Sequence, residues 1–344
     1  MPSRFLLSKK TFIIAEAGVN HNGQLSLAKK MIDAAKEAGC DAVKFQAFKT
    51  EALVLKDTKL ADYQKAAAQK NVQSQYDLLK QLELSEKQFL QLHAHCKKKN
   101  ILFLATPFDD QSLMLLDRIN VPVYKVSSGD LTNLPYLKKL AKRRKWIVLS
   151  TGMGTILEIK EAVETIQSIT RNKLCLLHCT TDYPTRLNDV HLRMLNTLQK
   201  MFHVPVGYSD HSQSTVIPAA AVAMGARVIE KHFTLDQSLP GPDHQASLEP
   251  EALNTMVANI RNVETAMGLS VKRLNANEKK NLKIVRKSLF SARNLSKGHI
   301  LKVSDVVICR PAKGLAPKHL ERIIGKPLKR DISKDHPFTW GHIK

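Results

Sequence analysis

Charged, imidazole and hydroxyl side chains recur at the ends of short apolar runs along this chain. They are Glu16, Lys44 with Gln46, Thr106, Lys125 with Ser128, Ser150, Ser209 with His211, and Glu230 with His232. If the runs are β-strands, residues two apart lie on the same face of the strand. Ser209 and His211 then share one face, and so do Glu230 and His232. A buried Lys or Glu requires a partner or a ligand, so we expect these positions to serve a binding site.

Lys44 and Lys125, with neighbouring Ser and Thr residues, favour recognition of an anion. Ammonium groups supply the charge and hydroxyl groups complete the shell around a phosphate or carboxylate. The alternative is structural, with each lysine paired to Glu16, Asp130 or Glu230 in a buried network. On the first interpretation the substrate is anionic.

His211 and His232 follow successive apolar runs and could place two imidazoles on one metal ion, with the other positions open to water or substrate. Oxygen groups surround them and no cysteine pair accompanies them, so Mn²⁺ or Mg²⁺ fits better than structural Zn²⁺. The alternative is that both are ordinary buried, hydrogen-bonded histidines.

The elements that must position these residues alternate between strand and helix patterns eight times. The predicted strands are TFIIAEAG, DAVKFQAF, ILFLATPF, VYKVSSGD, KWIVLSTG, KLCLLHCT, VPVGYSDH and ARVIEKHF. Helix starts are marked by capping-box spacing at Ser85 with Gln88 and at Thr155 with Glu158, and by Pro135. The pattern predicts an α/β fold, a (β/α)₈ TIM barrel whose site lies at the carboxyl ends of the strands.

The pattern changes after a last predicted helix over 250–268. The basic, polar stretch 271–287 has the composition of a linker, and short apolar pieces punctuated by Gly and Pro follow it. We predict a barrel domain over 1–270, a linker over 271–287 and a small, mostly β domain over 288–344.

Composition narrows the class of protein. The 344 residues carry a formal charge of +22, but the basic runs 97–99 and 142–145 fall at predicted helix ends and lack interleaved aromatics, so no nucleic-acid partner is expected. Five scattered cysteines are expected to be reduced. With no apolar run near the roughly 18 residues of a membrane span and no secretory signal, we expect a cytoplasmic protein without membrane contact.

Nine motifs, in order along nearly the whole chain, resemble those of the sialic acid synthases. They are IAEAGVNHNG, AVKFQ, TPFD, YKVSSGD, LSTGM, LHCTTDYP, GYSDHS, EKHFT and GPDH. The tail, with KSLFSARNLSKG and RPAKG, resembles the antifreeze-like (SAF) domain of these enzymes.

The resemblance implies condensation of phosphoenolpyruvate with an open-chain, N-acetylmannosamine-type sugar to give a nonulosonic acid and phosphate, with Mn²⁺ or Mg²⁺. It implies metal ligands at His211 and His232, and proton transfer by Glu16, for which Asp210 and Asp243 remain alternatives. Phosphoenolpyruvate contacts are implied for Lys44, Thr106, Lys125, Ser128, Ser150 and Ser209. Sugar contacts are implied for Gln46, Tyr183 and Asp243, and for Arg310 reaching the acetamido group from the other subunit of a domain-exchanged homodimer.

Several alternatives stay open. The acceptor could instead be a 2,4-diacetamido-trideoxy sugar leading to legionaminic acid. Asp130 and Thr181 stand where some relatives have Glu and Asn, which leaves their contacts in doubt. A synthase using a phosphorylated aldose, and a non-catalytic protein that binds sugars or polyanions, are the other functions considered.

Overall fold

The computed structural model describes residues 10–60 and 72–344, and its first eight strands are parallel. These strands are β1 Phe12–Gly18, β2 Ala42–Ala47, β3 Leu102–Pro107, β4 Val123–Val126, β5 Trp146–Ser150, β6 Leu174–His178, β7 Val206–Asp210 and β8 Val228–His232. The helices among them are α1 Leu25–Glu37, α2 Thr50–Leu53, α3 Gln75–Leu82, α4 Glu86–Lys99, α5 Asp110–Ile119, α6 Leu134–Ala141, α7 Ile156–Gln167, α8 Met194–Phe202, α9 Ile217–Ala223 and α10 Pro250–Met267.

The strands follow the order β3-β2-β1-β8-β7-β6-β5-β4, and β3 lies against β4 to complete the ring. This arrangement confirms the predicted (β/α)₈ barrel. In the register, Glu16 lies opposite Lys44 on one side and His232 on the other, and Ser209 lies opposite Glu230. The predicted polar residues therefore meet at one end of the barrel.

Local sequence signals account for the helix boundaries. Ser85 and Thr155 each accept a hydrogen bond from the N3 backbone amide, and the N3 side chain accepts one from the N-cap backbone amide, which confirms both predicted capping boxes. Pro135 lies in the first turn of α6, as predicted. The basic run 97–99 ends α4, where cations complement the helix dipole.

The barrel is packed on both sides of its strands. Inward-facing residues such as Ile14, Leu104 and Val148 fill the end opposite the site, and a larger apolar layer lies between the strands and the helices. Gly207 of β7 permits close contact with β8, because a Cβ there would lie 2.4 Å from the carbonyl oxygen of Val228. Polar space lies at the carboxyl ends of the strands.

A second compact unit begins after Gly268. Its elements are α11 Ala276–Val285, β9 Ser288–Ser291, β10 Val306–Cys309 and α12 Leu320–Ile323, and β9 pairs with β10 in antiparallel register. The segment predicted as a linker contains helix α11, which Asn275 and Glu278 start with a capping box. A small core includes Leu289, Leu301 and Phe338.

Two compositional expectations can be compared with the structure. All five cysteines are free thiols and four of them are buried, as expected. Among residues 10–60 and 72–344, no helix is long and apolar enough to cross a membrane.

Candidate active site

A polar cavity of about 420 Å³ opens at the carboxyl ends of the barrel strands. It is lined by eleven of the predicted residues, which are Glu16, Lys44, Gln46, Thr106, Lys125, Ser128, Ser150, Tyr183, Ser209, His211 and His232. Asp243 lines a smaller pocket beside it, which shares three of these residues. Arg310 belongs to the second compact unit, where it is exposed.

Two lysines and two glutamates form a buried charged network on the floor of the cavity. The Nζ atom of Lys44 lies 2.8 Å from Glu16 Oε2 and 3.6 Å from Glu230 Oε2. Lys125 Nζ lies 3.6 Å from Glu230 Oε1. The structural alternative is therefore met for Glu16 and Glu230, although the same four side chains also line the cavity. Asp130 takes no part in it, and its Oδ1 accepts a hydrogen bond from Asn133 Nδ2.

Hydroxyl groups from neighbouring strands surround this network. Lys44 donates to Thr106 Oγ1 over 3.1 Å, and Lys125 donates to Ser150 Oγ over 2.7 Å. Ser209 Oγ donates to Glu230 Oε1 over 2.9 Å. Lys44, Lys125 and Glu230 are thus each held by a short side chain on a neighbouring strand. Both lysines also line the cavity, where an anion can reach them.

Burial and the neighbouring charges set the protonation of these groups. Burial raises the pKa of Glu16 to about 7, although the ammonium of Lys44 opposes the shift and Glu230 adds to it. Burial also opposes the charge on Lys44, but the carboxylates of Glu16 and Glu230 raise its pKa. Burial lowers the pKa of Lys125 despite the nearby Glu230. Burial also raises the pKa of Asp243 to about 6. Glu16 and Asp243 are therefore both carboxyl groups that can gain or lose a proton near neutral pH.

The two predicted metal-binding histidines lie side by side, with ring centroids 5.5 Å apart. Burial lowers the pKa of both, that of His211 to about 4, so both imidazoles are neutral at pH 7. His211 Nδ1 donates to the carbonyl oxygen of Thr180 over 2.6 Å, which leaves the lone pair on Nε2. His232 Nδ1 is buried without a hydrogen-bond partner among the described residues.

Tyr183 and Asp243 complete this side of the cavity. The Tyr183 ring stacks on His211 at 4.2 Å between centroids and meets His232 edge-on. Asp243 Oδ2 lies 3.8 Å from His232 Nδ1. A Cβ on Gly18, whose φ is +53°, would lie within 3.5 Å of polar atoms of Glu16, Gln46 and Asp243, so these three side chains converge on the glycine.

Glu230, which was expected at a strand end but given no role in the reaction, contacts both lysines and lines the cavity. Its two-residue spacing from His232 was the signal that places it on the inner face. Ser127, Cys179 and Thr181 also line the cavity and were not predicted as site residues. Thr181 thus keeps its place at the site, whereas Asp130 does not line it.

A second buried pair lies on the outer face of the same strand ends. Lys231 Nζ is 2.6 Å from Asp210 Oδ2, and neither side chain is exposed. Asp210 also accepts hydrogen bonds from Tyr208 Oη and from the Ser212 amide, and Lys231 donates to the Ser212 carbonyl. The pair ties β7 to β8 immediately beside His211 and His232.

Comparison with known proteins agrees with this architecture. Residues 31–272 match the NeuB family, and residues 286–344 match the SAF domain. The chain is 46% identical to the N,N'-diacetyllegionaminic acid synthase of Campylobacter jejuni subsp. jejuni over 95% of this chain and 98% of that protein. It is 44% identical to the enzyme of the same name from Legionella pneumophila subsp. pneumophila, over 98% of this chain and 96% of that protein.

A solved structure is also similar. The N-acetylneuraminic acid (sialic acid) synthetase of Leptospira borgpetersenii, determined in complex with citrate, superposes with a TM-score of 0.70 and 36% identity. The match covers 80% of this chain and 90% of that one.

Replacing Lys231 with Met tests the outer pair. The variant leaves the Asp210 carboxylate buried without its cation, which should lower the free energy of unfolding by about 3–5 kcal/mol. Chemical denaturation of the full chain measures the loss. Lys160→Met is the matched control, because the Lys160–Glu164 pair is exposed and should contribute less than ~0.5 kcal/mol. Equal stability of the two variants would contradict the role assigned to the pair.

Proposed function

The chain belongs to the NeuB family, and from that membership we propose that it condenses phosphoenolpyruvate with the open-chain form of an N-acetylated amino sugar. The products are a nonulosonic acid and phosphate. The observation that carries the proposal is the cavity in which two lysines and six serine and threonine residues face the same space.

The negative charges of phosphoenolpyruvate match the positive charges of the two lysines in the cavity. Its phosphate and carboxylate need two cationic centres, which Lys44 and Lys125 supply. The hydroxyl groups of Thr106, Ser150 and Ser209 already contact the charged network and can turn toward the ligand. No further Lys or Arg lines the described part of the cavity, which favours an acceptor without a phosphate of its own.

The reaction forms a carbon–carbon bond between the substrates and a carbon–oxygen bond to water, and it breaks the carbon–oxygen bond to phosphate. The methylene carbon of phosphoenolpyruvate attacks the aldehyde carbon of the sugar, and the aldehyde oxygen takes up a proton. Water adds to the electron-poor carbon that bore the phosphate group, and phosphate leaves with the bridging oxygen. The protein must therefore hold two substrates in contact and supply and remove protons.

Glu16 is the residue we assign to proton transfer. Its carboxyl has a pKa of about 7 and lies between Lys44 and the polar atoms of Gln46 and Asp243. An anion bound at Lys44 offsets that ammonium charge and raises the pKa of Glu16 further, so ligand binding favours the protonated carboxyl. Glu16 can then donate a proton to an oxygen of the substrate and accept one from water.

The side chains of His211 and His232 fit a divalent metal ion. Both rings are neutral, the lone pair of His211 Nε2 is set by the Thr180 carbonyl, and the buried His232 Nδ1 has no hydrogen-bond partner among the described residues. Among residues 10–60 and 72–344 no group of three or more His, Cys, Asp or Glu could hold an ion, so water or substrate would fill the other positions. Mn²⁺ or Mg²⁺ bound there would act as a Lewis acid on the aldehyde oxygen.

Arg310 and the SAF domain are assigned to sugar binding in a homodimer. Arg310 is exposed in the second compact unit, and its guanidinium offers fixed donors that suit an amide carbonyl. We propose that it contacts the acetamido group of the sugar in the barrel of a partner subunit.

Product analysis tests the reaction. Purified protein with Mn²⁺, phosphoenolpyruvate and either N-acetylmannosamine or 2,4-diacetamido-2,4,6-trideoxymannose should release phosphate and form the nine-carbon acid, both measured by mass spectrometry. With ¹⁸O in the bridging position of phosphoenolpyruvate, the label should appear in phosphate. Label retained in the sugar acid, or no product from either sugar, would refute the proposed function.

Metal binding is tested by ligand removal. His211→Ala with His232→Ala should abolish Mn²⁺ binding in calorimetry, and chelation should abolish turnover of the wild type. His95→Ala is the control, because His95 pairs with Asp33 outside the cavity and its loss should leave Mn²⁺ affinity unchanged. Wild-type turnover by the double variant after chelation would contradict the metal site.

Mixed dimers test the exchanged arrangement. Arg310→Ala chains, with an intact barrel, are dissociated and reassociated with His211→Ala chains, which have an intact SAF domain. Random pairing makes about half the dimers mixed, each with one complete site of two, so activity should recover to roughly a quarter of wild type. If Arg310 acts on its own barrel, mixing rescues nothing, provided that mass spectrometry confirms the mixed dimers.

A further inference from the structure

Asp243 lies on the irregular segment 235–247, which follows β8. The regular structure in this segment is one short 3₁₀ turn, His244–Ala246. The base of the segment is closed by a backbone hydrogen bond from the Thr234 amide to the Leu248 carbonyl oxygen. Neither a strand nor a long helix fixes residue 243, so side-chain hydrogen bonds must hold it in place.

His244 links this segment to the loop that follows β1. Its side chain is fully buried, with Nδ1 at 2.7 Å from Thr234 Oγ1 and Nε2 at 3.2 Å from Asn22 Oδ1. Burial lowers the pKa of His244 to about 4, so at pH 7 the neutral ring offers one donor and one acceptor. Both ring nitrogens are thus occupied by partners on two different loops.

A second connection from the same loop reaches the backbone of Asp243. Ser247 Oγ donates to the Asp243 carbonyl oxygen over 2.6 Å, and it accepts a hydrogen bond from Asn20 Nδ2 over 2.8 Å. Asn20 Nδ2 also donates to the Phe233 carbonyl oxygen over 3.0 Å. Two asparagines that follow β1, Asn20 and Asn22, therefore hold the segment at two points.

Gly241 shows how closely the segment passes the His244 side chain. Its φ is +149°, a conformation that residues with a side chain rarely adopt. A Cβ at this position would lie 2.7 Å from His244 Cδ2 and 3.0 Å from Asn22 Oδ1. The glycine therefore lets the chain pass against the bridge two residues before Asp243.

Asp243 faces the side of the cavity away from the lysines. It lines the smaller pocket together with Gln46, Tyr183 and His232, which also line the main cavity, whereas neither cavity lysine is among the residues of that pocket. On the proposed function, phosphoenolpyruvate lies at the lysines and the acceptor sugar lies on this side. A carboxylate here can accept hydrogen bonds from sugar hydroxyl groups.

We propose that His244 is a positioning residue, which holds Asp243 where the acceptor sugar needs its carboxylate. The inference rests on the proposed function. His244 lines neither the main cavity nor the smaller pocket, so it acts through Asp243 and contacts neither substrate. Because the base of the segment is closed separately at Leu248, loss of the bridge should move Asp243 and leave the cavity lysines in place.

The test measures the two substrates separately in the full-length protein. His244→Asn keeps a polar group near Thr234 but is too short to reach Asn22 as well. With Mn²⁺, kcat/KM for the acceptor sugar should fall about 10- to 100-fold, because a contact misplaced by about 1 Å can cost this much. The Kd of phosphoenolpyruvate, measured by calorimetry without sugar, should be unchanged. Weaker binding of phosphoenolpyruvate by the same factor, or an unchanged kcat/KM for the sugar, would overturn the inference.

Asn22→Gly breaks the bridge from its other end. The φ of Asn22 is +49°, which glycine adopts without strain, so the variant removes the amide alone. It should reproduce the effect of His244→Asn, and the double variant should lose no more than either single one. Losses that multiply in the double variant would contradict a single bridge.

His95→Asn is the matched control for the loss of an imidazole. It removes a 2.8 Å hydrogen bond to Asp33, which joins helices α1 and α4 away from the cavity, and it should leave both substrates unaffected. Thermal unfolding checks the fold of every variant. If His244→Asn does not fold, Asn22→Gly serves as the test, with the same expected result for each substrate.

A cycle with Asp243→Ala shows whether His244 acts through that carboxylate. Asp243→Ala removes the contact, so adding His244→Asn should cause no further loss in kcat/KM for the sugar. Losses that multiply, or a wild-type kcat/KM in Asp243→Ala itself, would overturn the inference while the condensation stands. Absence of product from the wild type with either acceptor would instead refute the proposed function.

Discussion

The burial of four charges at one end of a barrel is the constraint on which this structure depends. Glu16, Lys44, Lys125 and Glu230 are each almost fully removed from water, and none of them could be ionised there alone. Two cations and two carboxylates offset one another, and neighbouring hydroxyl groups satisfy remaining donors. Lys125 lies on β4 and Glu230 on β8, which are not neighbours in the sheet, so their contact requires the strands to close into a ring.

The same charges prepare the cavity for an anion. In the free protein the lysines are balanced by Glu16 and Glu230, so the cavity has little net charge to stabilise. A ligand that brings its own negative charge competes for the ammonium groups, and Glu16 can respond by binding a proton because its pKa is already near 7. Electrostatic stability of the fold and the protonation of Glu16 are thus properties of one network.

The two faces of strands β7 and β8 carry different groups, the cavity histidines on one and a buried ion pair on the other. Inward-facing His211 and His232 lie in the cavity, while outward-facing Asp210 and Lys231 form an ion pair that water does not reach. Because side chains alternate along a strand, the ion pair fixes the backbone from which both imidazoles project.

The sequence by itself determined the local features. Period-two spacing assigned Lys44 and Gln46, or Glu230 and His232, to one face, and the capping boxes at Ser85 and Thr155 placed two helix starts. Sequence spacing could not decide partners between strands, because that choice depends on which strand ends the closed ring brings together. The tertiary structure alone paired Lys44 with Glu16 and Glu230, and left Asp130 with Asn133.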